Sequence, residues 1–289
     1  MGTIPSDIEL VASYWTLATG AVPHTDHEYS TAAFEQRVAA AARAGFTGFG
    51  IWHADLAHTL ERLGLRDMRR ILDDHGMRHI ELEFLADWWF EDGERKAASD
   101  ARKHLLLEAA EMLGARHVKV GDFLNTPCPM PRLIESFAAL CHEARDYGTS
   151  ILFELMPFAH IHTLEGALEL VTSADAPNGG LVLDLWHIVK LGVPYADAAR
   201  ISSRFLGAVE INDGTFTAPW DLAEDTINHR RLCGEGEFDV RGFLAALRAV
   251  GYAGPWGIEV LNAQMRSWPP EKLAERAALT TRAQFADGH

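Results

Sequence analysis

Two hydrophobic periods alternate along the chain. Short apolar runs of strand length fall at Ile8–Ser13, Phe46–Trp52, His79–Leu85, His117–Val120, Ile151–Leu155, Leu181–Leu185, Leu206–Ile211 and Trp256–Leu261. Between them, apolar residues recur every three or four positions, the period of a helix with one buried face. Thr31–Ala44, Asp55–Asp74, Lys96–Leu113, Pro131–Tyr147 and Val240–Val250 are the clearest such stretches. Glycine follows most of them, as at Ala44-Gly45, His75-Gly76, Leu113-Gly114 and Tyr147-Gly148, where a left-handed residue ends the helix. The pattern gives eight strand–helix units, the sixth with a short helix near 195–204. No Pro-, Gly- or Ser-rich linker interrupts them, so a single domain over 1–289 is expected. Alternating βα units imply a parallel sheet. Eight in roughly 250 residues predict an α/β fold closed as a (β/α)8 TIM barrel. An open doubly wound sheet is the rival, but no GxGxxG follows the first strand.

Composition narrows the function. Of 289 residues, 26 are Lys or Arg and 41 are Asp or Glu, a formal charge of −15 with no basic stripe. Nucleic acid is therefore not the expected partner. No apolar run is long enough to span a bilayer, so no membrane partner is expected either. The N-terminal MGTIPSDIEL lacks a basic segment followed by a long apolar stretch, and Met1-Gly2 with Ser6 matches the myristoylation pattern only loosely. Cys128, Cys141 and Cys233 are scattered, which suggests neither a disulfide framework nor a thiolate zinc site. A reduced, cytoplasmic location is expected.

A (β/α)8 barrel places its chemistry at the C-terminal ends of the strands. There the fifth strand offers Glu154 in ILFELMPF, and the sixth Asp184 and His187 in LVLDLWH. The seventh offers Glu210, Asn212 and Asp213 in GAVEIND, and the eighth Glu259 in GPWGIEV. An ionised carboxylate inside an apolar strand needs a partner, because desolvation is costly. Four converging on one mouth call for a divalent cation held by Glu154, Asp184, Glu210 and Glu259. Oxygen ligands with at most one imidazole suit Mn2+ first, with Mg2+, Co2+, Fe2+ or Zn2+ as alternatives.

These motifs, with AGFTGFGIW at the second strand and GEGEFD after the seventh, resemble the sugar phosphate isomerase/epimerase family of xylose-isomerase-like barrels. The resemblance covers nearly the whole chain. It implies one divalent metal held by acids on strands five, six and eight, matching Glu154, Asp184 and Glu259, with a fourth ligand on strand seven. Glu210 stands where His or Gln is commoner, so either it ligates or His187 or water takes its place. The family's epimerases exchange a proton next to a carbonyl through an enediolate, using the glutamates of strands five and eight; Glu154 and Glu259 would be that pair. His187 would act as an acid or bind a substrate hydroxyl, and Arg231 resembles a substrate-contacting arginine. Endonuclease IV shares the fold but uses further histidines and a basic groove, neither of which is evident here.

The remaining candidates are read from position. Lys119, in HVKVGD, is a charge balancer or proton donor if it faces inward; His160 and His162 lie on the loop after strand five. Glu81 and Glu83 share one strand face, inward or outward together. Asp213 is placed to brace the loop after Glu210. Trp15, Trp52, Trp88, Trp89, Trp186 and Trp220 fall near strand ends; about half are assigned to packing, and Trp15 and Trp52 are taken as substrate walls.

The leading expectation is thus a metal-dependent isomerase or epimerase acting on a small sugar or glycoside. The alternative is a lyase on an oxidised sugar. That means a dehydratase, or a C-glycoside deglycosidase catalytic subunit paired with a small β partner chain. A non-catalytic sugar-binding barrel is the third reading. Homo-oligomerisation is expected from the family.

Overall fold

The computed structural model describes residues 8–286; the N-terminal myristoylation pattern lies outside them. Eight parallel strands close into one barrel in sequence order. They are β1 (Leu10–Ala12), β2 (Gly48–Trp52), β3 (His79–Leu85), β4 (Ala115–Val120), β5 (Ser150–Glu154), β6 (Gly179–Asp184), β7 (Leu206–Ile211) and β8 (Trp256–Ile258). The helices on the outside are α1 (Phe34–Arg43), α2 (His53–Leu60), α3 (Leu65–Asp74), α4 (Gly93–Leu113), α5 (Met130–Asp146) and α6 (Leu164–Ala174). They continue with α7 (Leu185–Lys190), α8 (Tyr195–Ala198), α9 (Leu222–Asn228), α10 (Val240–Ala249) and α11 (Pro270–Phe285). Among the described residues, no helix is long and apolar enough to cross a membrane.

The single helix expected over 55–74 is two, because Gly64 is extended between α2 and α3. The short sixth helix expected near 195–204 is shorter still, α8 alone, and α7 stands before it as a helix that was not expected; Gly192, with a left-handed φ of 68°, turns the chain between the two. The eight strands and the helices α1, α4, α5 and α10 fall within a few residues of the bounds expected for them.

Strand alternation sorts the side chains into two environments. Ile151, Phe153, Leu181, Leu183, Val209, Ile211 and Ile258 face outward into the continuous core shared with the helices. Leu152, Val182 and Ala208 form a separate small cluster inside the barrel. One step further along the same inward rows stand Glu154, Asp184 and Glu210. Glu81 and Glu83 face inward too, beside His117 and Lys119 of β4, and all four are buried. A (β/α)8 interior is ordinarily filled by branched apolar residues. Here its upper layer is charged, a departure of the kind that marks a functional site.

Gly50 makes room for that layer. A Cβ there would lie 2.6 Å from Glu83 Oε1 and 2.7 Å from the Tyr14 backbone nitrogen. Gly50→Ala is expected to cost about 1–3 kcal/mol through overpacking. A thermal melt checks this; an unchanged transition would show that the layer yields freely.

Candidate active site

Each acid is delivered by the end of a different strand. Asp184 closes β6 and caps α7, its Oδ1 accepting the His187 backbone N–H at 3.1 Å. The cap turns the chain so that His187, in the first turn of α7, faces the barrel axis. The His187 Nε2 lies 3.4 Å from Glu154 Oε1. Asp184 Oδ2 accepts from Asn212 Nδ2 at 3.0 Å and from Arg230 Nη1 at 2.8 Å. Glu259, immediately after β8, accepts from Arg230 Nη1 at 3.0 Å on one oxygen and from Lys119 Nζ at 3.1 Å on the other. Glu210 accepts from Ser13 Oγ at 2.5 Å and from Lys119 Nζ at 2.9 Å on both oxygens. Glu83 Oε2 is 3.2 Å from the same ammonium.

Five carboxylates therefore surround two fixed cations, and every one of these side chains is buried. Glu154, Asp184, Glu210 and Glu259 each bring a ligand atom within 4.8 Å of the others, and Glu154, Asp184 and His187 do the same. The excess of negative charge, the oxygen-rich donor set and the buried His187 Nδ1, which has no partner among the described residues, fit a divalent metal. Positive charge shapes the acids unevenly. Burial raises the pKa of Glu154, but Lys119 and His187 outweigh it and hold the group below the ordinary glutamate range. Burial likewise opposes the charge of Asp184, and Arg230 and His187 outweigh it. Glu83 is pushed up to about 7 by burial, against the pull of Lys119. Burial and then Glu259 push Glu210 well above the ordinary glutamate range, against the pull of Lys119, whose ammonium against both oxygens is the contact that favours the charged form. Burial disfavours the Lys119 charge, yet the surrounding glutamates, Glu154 foremost, raise its pKa well above the usual lysine value.

Above the acids lies a cavity with an aromatic wall and a cluster of convergent polar groups, the make-up of a small-molecule site. One side is polar, with Glu83, Lys119, Glu154, His187, Arg230 and Glu259; the other is lined by Trp15, Trp52, Phe84, Phe123, Met156 and Phe158. The Trp15 and Trp52 rings meet at 5.0 Å and Phe84 and Phe123 at 4.4 Å, so the wall is one aromatic surface. Trp52 is further fixed by Nε1 donating to Glu28 at 3.1 Å.

The structure brings Glu154, His187, Glu259, Lys119, Trp15 and Trp52 together at this mouth, with Asp184 and Glu210 joined to the same acidic cluster behind it, and two expected residues it places elsewhere. Arg231 is exposed and donates to the Glu235 carbonyl at 3.2 Å. Residues 213 and 231 pair as an antiparallel bridge, and alternation turns the neighbouring Arg230 inward in its stead. His160 lies outside the mouth. Its Nε2 is 3.0 Å from the Cys128 carbonyl, and it faces a separate small cavity with Trp88 and Trp89. Of the other tryptophans, Trp186 is fully buried and Trp220 stacks on His229 at 3.5 Å. Asp213 does brace its loop, accepting from the backbones of Gly214, Gly234 and Phe238 at 2.8 to 2.9 Å. Arg230, Ser13 and Thr226 were not singled out by sequence; the inward turn at 230 follows only from a pairing between distant segments.

The family described as xylose isomerase-like TIM barrel matches residues 38–284. The 3-dehydroshikimate dehydratase of Pseudomonas aeruginosa is 30% identical over 88% of this chain and 38% of its own length. The chain thus spans well under half of the dehydratases it matches. The inosose isomerase of Bacillus subtilis is 25% identical over 51% of this chain and 53% of its own. Among solved structures, the IolI protein with a bound zinc atom superposes with a TM-score of 0.79 at 20% identity, covering 96% of this chain and 98% of that one.

Proposed function

The chain belongs to the xylose isomerase-like TIM barrel family, and from that premise we propose that it is a divalent-metal-dependent sugar isomerase or epimerase. Its substrate is a small polyhydroxylated ketone. The observation that carries this reading is the pair Glu154 and Glu259, both bordering the one cavity and both joined to the same buried acidic cluster. A divalent cation held by Glu154, Asp184 and Glu259, with Glu210 or His187 as a further donor, would supply positive charge at the substrate carbonyl and so acidify the neighbouring C–H. The oxygen-dominated donor set favours Mn2+.

Glu154 and Glu259 divide the proton work. One carboxylate takes the proton from the carbon next to the carbonyl, leaving an enediolate, and the other returns a proton to the opposite face or to the adjoining carbon. Arg230 orients Glu259 through its Nη1, 3.0 Å away, and so fixes which oxygen faces the cavity. His187 lies within reach of a substrate hydroxyl on the Glu154 side. The aromatic wall excludes water and receives the C–H face of the substrate.

A second reading, dehydration, is favoured by the 30% identity to a 3-dehydroshikimate dehydratase. It begins with the same proton abstraction. The C–O bond β to the carbonyl then breaks, and the hydroxyl departs as water after taking a proton from His187 or the second glutamate.

One experiment tests the shared step and separates the outcomes. Metal-stripped protein, reloaded with Mn2+, is incubated in D2O with ketoses, inosose and 3-dehydroshikimate and followed by NMR. Deuterium is expected at the carbon next to the carbonyl only when metal is present. Recovery of an isomer supports the first reading, and loss of water the second. A metal-loaded chain that neither exchanges a proton in nor forms a product from any of them would overturn both.

A further inference from the structure

Among the four acids that converge, Glu210 is held differently. It alone is chelated, one ammonium lying 2.9 Å from both of its oxygens, with the Ser13 hydroxyl added at 2.5 Å. Glu154 is the opposite case: its nearest cationic groups are His187 at 3.4 Å and Lys119 at 3.8 Å, so its oxygens remain available. Lys119 itself lines the mouth, and Glu210 does not. The ammonium therefore stands between Glu210 and the cavity.

We propose that Lys119 and Glu210 form an internal ion pair that withdraws Glu210 from the metal-holding set and fixes a positive charge beneath it. The inference rests on the metal-dependent reading above. It leaves Glu154, Asp184 and Glu259 to hold the cation, with His187 in reach of the first two. A carboxylate on strand seven then serves as the anchor of a lysine on strand four, 91 residues away in sequence. Lys119 is a positioning residue in this scheme. It sets the place and the charge of Glu259, to which it donates at 3.1 Å, while Ser13 keeps Glu210 from swinging upward.

Binding of Mn2+ to the metal-stripped chain of residues 1–289, measured by calorimetry, together with thermal melts of the metal-free protein, tests the pair. Glu210→Met is expected to bind Mn2+ within about tenfold of the unsubstituted chain, whereas Glu154→Gln weakens it by about a hundredfold or more, beyond what loss of a group outside the ligand set costs. In the melts, Lys119→Met leaves Glu210 buried without its partner and lowers the transition. The double variant Lys119→Met/Glu210→Met removes both charges and recovers much of that loss, the mark of coupled residues. Should Glu210→Met fail to fold, the double variant carries the binding measurement. Loss of Mn2+ by Glu210→Met or the double variant to the same degree as by Glu154→Gln overturns the proposal, as do strictly additive melts. An unsubstituted chain that takes up no Mn2+ would instead overturn the metal-dependent reading, and the melts would still decide the pair.

Discussion

Glu154→Gln is expected to lower kcat/KM by about 10³-fold or more, in the upper range of what a single acid–base group contributes, while leaving the fold intact. The asymmetry between these two effects follows from the surroundings of Glu154. It closes β5 on the inward face, and its contacts with His187 and Lys119 are 3.4 and 3.8 Å, too long for strong hydrogen bonds. Glutamine keeps the shape and leaves no tight partner stranded. What it removes is the negative charge and the proton-accepting capacity, at a group that Lys119 and His187 hold ionised against its burial. Metal retention and solvent-deuterium exchange are therefore expected to fall together, with circular dichroism unchanged. A variant that still exchanges deuterium at near the original rate would remove Glu154 from the proton work.

Replacing Arg230 separates two neighbours that the sequence makes look equivalent. Its Nη1 bridges Asp184 and Glu259 at 2.8 and 3.0 Å, and its Nε and Nη2 donate to Thr226 Oγ1 at 3.0 and 2.8 Å. Arg230→Met leaves two buried carboxylates facing each other, and breaking a buried pair in this way costs about 3–5 kcal/mol. Arg230→Lys restores the charge without the Nε and Nη2 donors that anchor the group to Thr226, so only partial recovery is expected. Arg231→Met, by contrast, alters an exposed side chain, and its effect is expected within about 0.5 kcal/mol with turnover unchanged. Denaturant melts and steady-state rates on the three variants check the set. A large loss of turnover in Arg231→Met would reverse the assignment.

The difference between 230 and 231 shows where sequence reading ran out. The acids were legible because each interrupts an apolar strand at its C-terminal end, where desolvation makes an ionised group conspicuous. Lys119, Trp15 and Trp52 were legible for the same positional reason. Arg230 lies on a segment without a strand-length apolar run, and which of two adjacent arginines turns inward depends on the bridge to Asp213. His160 followed a strand as expected, yet the loop folds back so that its ring meets the Cys128 carbonyl outside the mouth. Glu81 and Glu83 were known to share a face; only closure of the barrel made that face the inner one.

The order of the eight strands, the helices between them and the acids at their ends were fixed by local pattern, because the period of burial is a property of each segment alone. Which charges touch was decided only by closure. The partners of Lys119 come from β3, β5, β7 and the residue after β8, and no local preference couples groups so distant along the chain. Electrostatic energy depends on separation in space and on the loss of water around each charge. Both quantities come into being when the barrel shuts and the carboxylates, the ammonium and the guanidinium are enclosed together.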